Sequence, residues 1–284
     1  MNHLSRQLVA MALEEDLGDI GDLTSLYFVD ADHRSVGRIV SRENAVISGS
    51  EIAAIACEAV SPSLTFRAIL PDGARANPGD LVAEISGPTR LVLTAERTVL
   101  NFMQRLSGVA TITRTFVDAI AGTGARLLDT RKTTPGWREL EKAAVTHGGG
   151  VNHRMGLYDA IMVKDNHLVA NPNPIDLAAR ISGIKGETPH LKIEVEADHP
   201  EQVADFLTIS GIDVILLDNM SNAGLARAVS MRDEIAPGIL LEASGGVNLS
   251  SVRGIAETGV DFISVGALTH SVRSIDLGLD LVAE

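Results

Sequence analysis

From Gly124 onward the chain repeats one pattern: short aliphatic runs, each ending in polar residues or glycine, with helical segments between them. The runs are ARLLDTRK, DAIMVKDNH, LKIEVEA, DVILLDNM, ILLEASGG and DFISVGAL. Strands buried on both faces read this way, and strands alternating with helices imply right-handed crossovers and a parallel sheet. Six such units without a glycine-rich dinucleotide turn favour a closed or nearly closed α/β barrel over an open doubly wound sheet. Aromatic residues make up only 3% of the chain, so the core must be built from Val, Ile, Leu and Ala.

The first hundred residues follow another rhythm. The spacing of apolar residues predicts a helix over residues 4–16, a strand over 36–41 and a helix over 51–60. Short strands joined by turns at Pro71-Asp72-Gly73 and Pro78-Gly79-Asp80 come next. A long helix then runs from Thr89 towards Leu106 and continues, bent near Ser107-Gly108, to Ile120. The single cysteine, Cys57, lies in the apolar segment EIAAIACEAV and reads as a small buried hydrophobe. No bilayer-length apolar stretch and no basic-then-apolar leader is seen, which makes the cytoplasm the expected location.

In a parallel barrel all strands end on one face, so residues distant in sequence meet at a single mouth. Arg131 and Lys132 follow the first run, Lys164 follows the second, and Glu194 and Glu196 lie within the third. Asp218 closes the fourth, Ser244 the fifth and Gly266 the sixth. The turns EASGG (Ser244, Gly245, Gly246) and SVGAL (Gly266, Ala267) are consecutive strand exits. Their glycines let backbone N–H groups approach a phosphate. Glu196 and Asp218, on neighbouring strand ends, suit Mg²⁺ or the hydroxyls and developing charge of a ribose. Glu194 alternates in phase with Glu196, and either shares that pocket or stands behind it as an ion-pair partner. An ion-pair layer of purely structural purpose is the competing reading of these acids.

The cations are denser. Arg131, Lys132, Arg138, His153, Arg154 and Lys164 fall within two strand–helix units. Arg reads a carboxylate bidentately and Lys acts as a point charge, so the set suits a substrate carrying several carboxylates or phosphates. The net charge of −13 and the lack of interleaved aromatics argue against nucleic acid. His147 and His167 stay open between a site role and a structural one.

The segments ERTVLNFMQRLSGVAT, DTRKTTPGWRELEKAAVTHGGGVNHRMGLYDAIMVKDNH, the EVEA–LLDNM pair and EASGG…GVDFISVGALTH together closely resemble the quinolinate phosphoribosyltransferases, and the resemblance covers nearly the whole chain. It implies an N-terminal α/β sandwich over residues 1–107, joined by a tail at 271–284, and an α/β-barrel catalytic domain over 108–270. It implies Mg²⁺-dependent conversion of quinolinate and phosphoribosyl pyrophosphate to nicotinate mononucleotide, pyrophosphate and CO₂, in de novo NAD biosynthesis. It also implies a head-to-tail homodimer in which Arg97 is lent to the neighbouring site, although as sequence that residue reads as an exposed helix arginine. By the same resemblance Arg131, His153, Arg154 and Lys164 hold the two carboxylates of quinolinate, with Thr133 and Glu194 beside the substrate. Lys132 serves phosphoribosyl pyrophosphate, Glu196 and Asp218 serve ribose and Mg²⁺, and Ser244, Gly245, Gly246, Gly266 and Ala267 bind phosphate. Two rivals differ in what they need: a phosphoribosyl transfer to nicotinate without decarboxylation, or a non-catalytic barrel that senses a sugar phosphate or an oxyanion.

Overall fold

The computed structural model describes residues 3–164, 166–167 and 174–283. In chain order its elements are α1 (His3–Leu17), α2 (Leu23–Phe28), β1 (Arg34–Ser41), β2 (Ala45–Val46), α3 (Ser50–Val60), β3 (Thr65–Ala68), β4 (Arg75–Ala76), β5 (Leu81–Pro88) and α4 (Thr89–Ala119). There follow β6 (Arg126–Leu128), α5 (Arg138–His147), β7 (Ile161–Val163), α6 (Pro174–Glu187), β8 (Ile193–Ala197), α7 (Pro200–Leu207) and β9 (Val214–Asp218). The chain ends with α8 (Asn222–Ile235), β10 (Leu240–Ser244), α9 (Val252–Ala256), β11 (Phe262–Ser264), α10 (Ala267–His270) and β12 (Leu277–Ala283). These form two compact units. One takes in the chain up to Arg114, Thr133–Gly149 and the residues from Leu268 on; the other takes in Thr115–Lys132 and Gly150–Ala267.

The first unit is built on an antiparallel sheet of order β12-β1-β5-β3. The C-terminal strand pairs along β1 from Ser35↔Ala283 to Ser41↔Leu277, so the last residues of the chain close the edge of a sheet begun by its first strand. Ile39, Val82, Ala83 and Ile85 lie fully buried in it. Helix α4 continues through Ser107-Gly108, as expected. The glycine there serves a close approach: a Cβ on Gly108 would stand 2.2 Å from the Arg273 carbonyl oxygen. A buried carboxylate braces the same unit. Glu141 on α5 accepts hydrogen bonds from the Thr134 amide (3.0 Å) and hydroxyl (2.8 Å) and pairs with Arg105 at 3.1 Å. Arg105 also donates to the carbonyls of Thr269 and Val272.

The second unit carries the six aliphatic runs as six parallel strands, in the order β6-β11-β10-β9-β8-β7. The strand that comes first in the chain sits beside the one that comes last, as a sheet that closes on itself requires. A single parallel bridge, Leu128↔Val151, extends it on the far side of β6. Alternation sorts the side chains. Leu127, Val195, Ile215, Leu217, Leu241 and Ile263 are buried on one face. Glu194, Glu196, Leu216 and Glu242 occupy the other, as the register Glu196↔Leu216↔Glu242 records. A flat sheet would hold β8 and β10 roughly 10 Å apart, since adjacent strands lie about 4.8 Å apart. Yet Glu194 of β8 and Glu242 of β10 both reach one His153 nitrogen, and His153 follows the bridge beside β6. The sheet therefore curls around that acidic face in the barrel manner. No described helix is long and apolar enough to cross a membrane.

Candidate active site

The loop after β6 places Arg131 and Lys132 on the surface at the strand exit, with the Lys132 amide donating to Thr130 Oγ1 at 3.0 Å. The next stretch of the second unit brings His153 and Arg154 back beside the same exit. Two anchors fix that dipeptide. The His153 amide donates to the fully buried Asp129 carboxylate at 2.8 Å, and the Arg154 amide donates to His153 Nδ1 at 2.7 Å. The Arg154 guanidinium donates to the Ala160 carbonyl at 3.1 Å and lies 3.5 Å from the Met162 sulfur. Asp159 gathers the intervening loop by accepting from the amides of Met155 and Gly156.

Charge accumulates on both sides of this loop. Burial and the neighbouring Arg131 guanidinium push the Arg154 pKa down, against the pull of Glu194 and Asp159. Two guanidiniums that repel one another in a partly enclosed place form a seat for an anion. Beneath them, His153 Nε2 lies 3.2 Å from Glu194 and 3.4 Å from Glu242. Burial works against a charged ring, while the hydrogen bonds and charges of the two glutamates raise its pKa. The Glu194 carboxyl is raised by burial and by the Glu242 charge, against the lowering influence of His153. The Arg154 amide at Nδ1 opposes a second proton there, so the ring carries its proton on Nε2, directed at the carboxylates.

Acids and glycines line the remaining exits. Lys164 after β7 is ion-paired with Glu196 of β8, which is 7% exposed. Asp218 ends β9 half-buried, and its carboxylate accepts from the Asn219 side-chain amide at 2.6 Å. Asn219 has φ 52°, the left-handed region, and its own amide donates to the Ser244 carbonyl at 2.9 Å, so the exits of β9 and β10 are tied. Gly245 (φ 95°) lies directly beneath it: a Cβ there would stand 2.1 Å from Asn219 Oδ1. Gly246 is also left-handed, at φ 58°, and Gly266 and Ala267 follow β11.

Arg131, Lys132, His153, Arg154, Lys164, Glu194, Glu196, Asp218, Ser244, Gly245, Gly246, Gly266 and Ala267 thus all belong to the second unit. Arg97, Thr133 and Arg138 belong to the first. There Thr133 Oγ1 accepts from Arg138 Nε at 3.1 Å. Arg97 is exposed on α4 and lines a cavity of about 200 Å³ with Glu15, Asp16, Asn101 and Trp137. The two open histidines each have a hydrogen-bond partner. His147 Nδ1 meets the buried Ser48 hydroxyl at 2.8 Å, and His167 Nδ1 accepts from the Lys164 amide at 2.9 Å. Sequence reasoning passed over Asp129, Asn219 and Glu242. Glu242 had a signal, being a charge inside an aliphatic run and in phase with Ser244; Asn219 adjoins Asp218, and Asp129 stands two residues before Arg131.

Residues 22–107 match the model of the quinolinate phosphoribosyl transferase N-terminal domain, and residues 109–280 match that of its C-terminal domain. The carboxylating nicotinate-nucleotide pyrophosphorylase of Mycobacterium leprae is 43% identical over 279 residues, covering 98% of this chain and 97% of that one. Quinolinate phosphoribosyltransferase (decarboxylating) 1b of Nicotiana tabacum is 38% identical over 291 residues, covering 98% and 82%. Among solved structures, the nicotinate-nucleotide pyrophosphorylase of Francisella tularensis superposes with a TM-score of 0.90 at 35% identity, covering 99% of this chain and 97% of its own.

Proposed function

We propose that this chain, which belongs to the quinolinate phosphoribosyl transferase family, joins quinolinate to phosphoribosyl pyrophosphate and releases pyrophosphate and CO₂, leaving nicotinate mononucleotide for NAD biosynthesis. The observation that carries this reading is the pair of mutually repelling arginines, Arg131 and Arg154, above a buried anionic cluster. A dicarboxylate relieves that repulsion, whereas a monocarboxylate such as nicotinate would leave one guanidinium without its anion. That preference also separates the reading from transfer to nicotinate.

The chemistry divides into two steps. The pyridine nitrogen attacks the anomeric carbon as the bond from that carbon to the pyrophosphate oxygen breaks, and the leaving group carries away the electron pair. The ring nitrogen is then cationic. The bond to the adjacent carboxylate breaks, CO₂ departs, and the pair left on the ring carbon is stabilised by that charge until it takes up a proton. No protein nucleophile is needed. Arg131, Arg154 and Lys164 hold the dicarboxylate, with His153 and Glu194 in support, and Lys132 and the Ser244–Gly246 and Gly266–Ala267 turns hold phosphates. Their work is to bring together two anions that repel in water, which is positioning and charge compensation.

Glu196 and Asp218 offer hard carboxylate oxygens at neighbouring strand ends, a donor set that fits Mg²⁺. Bound there, the ion would neutralise the pyrophosphate leaving group. The first test is incubation with quinolinate, phosphoribosyl pyrophosphate and Mg²⁺. Nicotinate mononucleotide and CO₂ are expected in equal amounts, and chelation by EDTA should abolish both until Mg²⁺ is restored. Full turnover in EDTA would overturn the metal assignment, and absence of product from folded protein would overturn the reaction.

Gly245→Ala probes the phosphate turn. A left-handed backbone costs a non-glycine residue about 1–2 kcal/mol, and the added methyl must also displace Asn219. The expected result is a rise of about tenfold or more in the KM for phosphoribosyl pyrophosphate, with the KM for quinolinate little changed. Equal KM values for both substrates in variant and parent would remove this turn from the site.

We assign the chain to a homodimer with shared sites. In support, α2 exposes Leu23, Leu26, Tyr27 and Phe28 within six residues, an apolar surface of the kind that associates. Arg97 is the residue that a neighbour would receive.

A further inference from the structure

Glu242 sits in the middle of β10, 2% exposed, and its Oε1 has no hydrogen-bond partner among the described residues. Glu194, 6% exposed, is in the same condition at its own Oε1. Burying a carboxylate costs several kcal/mol unless it is well paired, and the neighbouring strand positions Leu241 and Ala243 show how readily this segment takes apolar residues. No step of the transfer touches Glu242. Its charge therefore needs another reason, and the group it meets is His153 Nε2.

One imidazole and two carboxylates within such reach also have the makings of a metal site. The other ring nitrogen decides against it. The Arg154 amide donates to Nδ1 at 2.7 Å, so Nδ1 presents its lone pair and the proton resides on Nε2. A protonated nitrogen donates a hydrogen bond; it does not ligate a metal.

We propose that Glu242, with Glu194, is a positioning residue for the quinolinate site: it fixes the His153 ring through Nε2–H, and the ring in turn fixes the Arg154 amide and the direction of its guanidinium. The inference rests on the reading that Arg154 receives a quinolinate carboxylate. The tether is continuous in the structure. It runs from the β10 carboxylate to the ring, from Nδ1 to the Arg154 amide, and from the guanidinium to the Ala160 carbonyl. The Asp129 carboxylate holds the preceding amide, so both peptide groups of the dipeptide are pinned by buried acceptors. A side chain with three or more free torsions is costly to order at binding, and an arginine already aimed loses less.

The test compares E242L, which puts an apolar side chain of similar size in place of the acceptor, with E242Q, which keeps an acceptor oxygen. E242L is expected to raise the KM for quinolinate about tenfold while the KM for phosphoribosyl pyrophosphate stays within about twofold, and E242Q should recover most of the loss. An unchanged quinolinate KM in E242L, a parallel rise in both KM values, or an E242Q loss as large as that of E242L would overturn the proposal. A second measurement stands independently of how the variants fold. In wild-type protein with ¹⁵N-labelled histidine, His153 Nε2 should carry a proton at neutral pH. An aprotic Nε2, or a stoichiometric divalent metal there, would overturn the tether. Wild-type turnover in the same assay tests the reaction separately, because its failure would remove the proposed substrate while the ring's protonation still reports on the tether.

Discussion

Arg154→Ala is expected to lower kcat/KM for quinolinate by about two to three orders of magnitude, because removing one member of a partly desolvated charge pair costs about 2–5 kcal/mol. The loss should fall on quinolinate. Arg154 is anchored by its own loop to Ala160 and interacts with Arg131, at the carboxylate seat and not at the turns assigned to phosphate. The KM for phosphoribosyl pyrophosphate is therefore expected to stay near that of the parent. Arg131→Ala should behave alike, and the double variant should lose less than the sum of the two. Each arginine raises the cost of the other's charge, so the first deletion also removes a repulsion. Arg154→Lys is a sharper probe. It keeps the charge but not the planar fork, and should recover only part of the loss. Steady-state kinetics with each substrate varied in turn measures all four. If Arg131→Ala and Arg154→Ala both kept wild-type kinetics, the dicarboxylate would bind elsewhere.

The architecture was legible because the physics that builds it acts locally. A strand buried on both faces reads as a short run rich in aliphatic residues, so RLL, IMV, IEVEA, VILLD, LLEAS and FIS declared themselves, and all six are strands in the structure. Parallel strands must also end together, which gathers the candidate residues at one set of exits from the sequence alone. What stayed hidden was decided by partners distant in the chain. Gly108 reads as the place of a bend, and only the carbonyl of Arg273 explains why a glycine is needed inside a continuous helix. Asn219 reads as a polar residue after a strand, and its left-handed backbone becomes intelligible with Gly245 beneath its side chain. Glu242 reads as one more acid in a strand until Glu194 and His153 arrive from two other segments. The family resemblance named residue roles that no pattern in a single chain could supply, Arg97 foremost.

Mixing Arg97→Ala with Arg131→Ala should restore activity that neither variant has alone. On a helix surface Arg97 is an ordinary solvated cation, and the cavity it lines also carries Glu15 and Asp16, so nothing within its own unit explains a catalytic contribution. A two-fold dimer changes the arithmetic. If each site combines Arg131 of one subunit with Arg97 of the other, a mixed dimer contains one site with both arginines intact and one with neither. Random exchange makes half of the dimers mixed, so about a quarter of all sites recover, and activity should approach about a quarter of wild type. The recovered sites are unaltered, so their KM for quinolinate should equal that of the wild type, a signature that simple stabilisation of either variant would not produce. Native mass spectrometry shows whether mixed dimers form. If they form and activity stays at the mean of the two parents, each subunit works with its own residues, and Arg97 loses its place in the site.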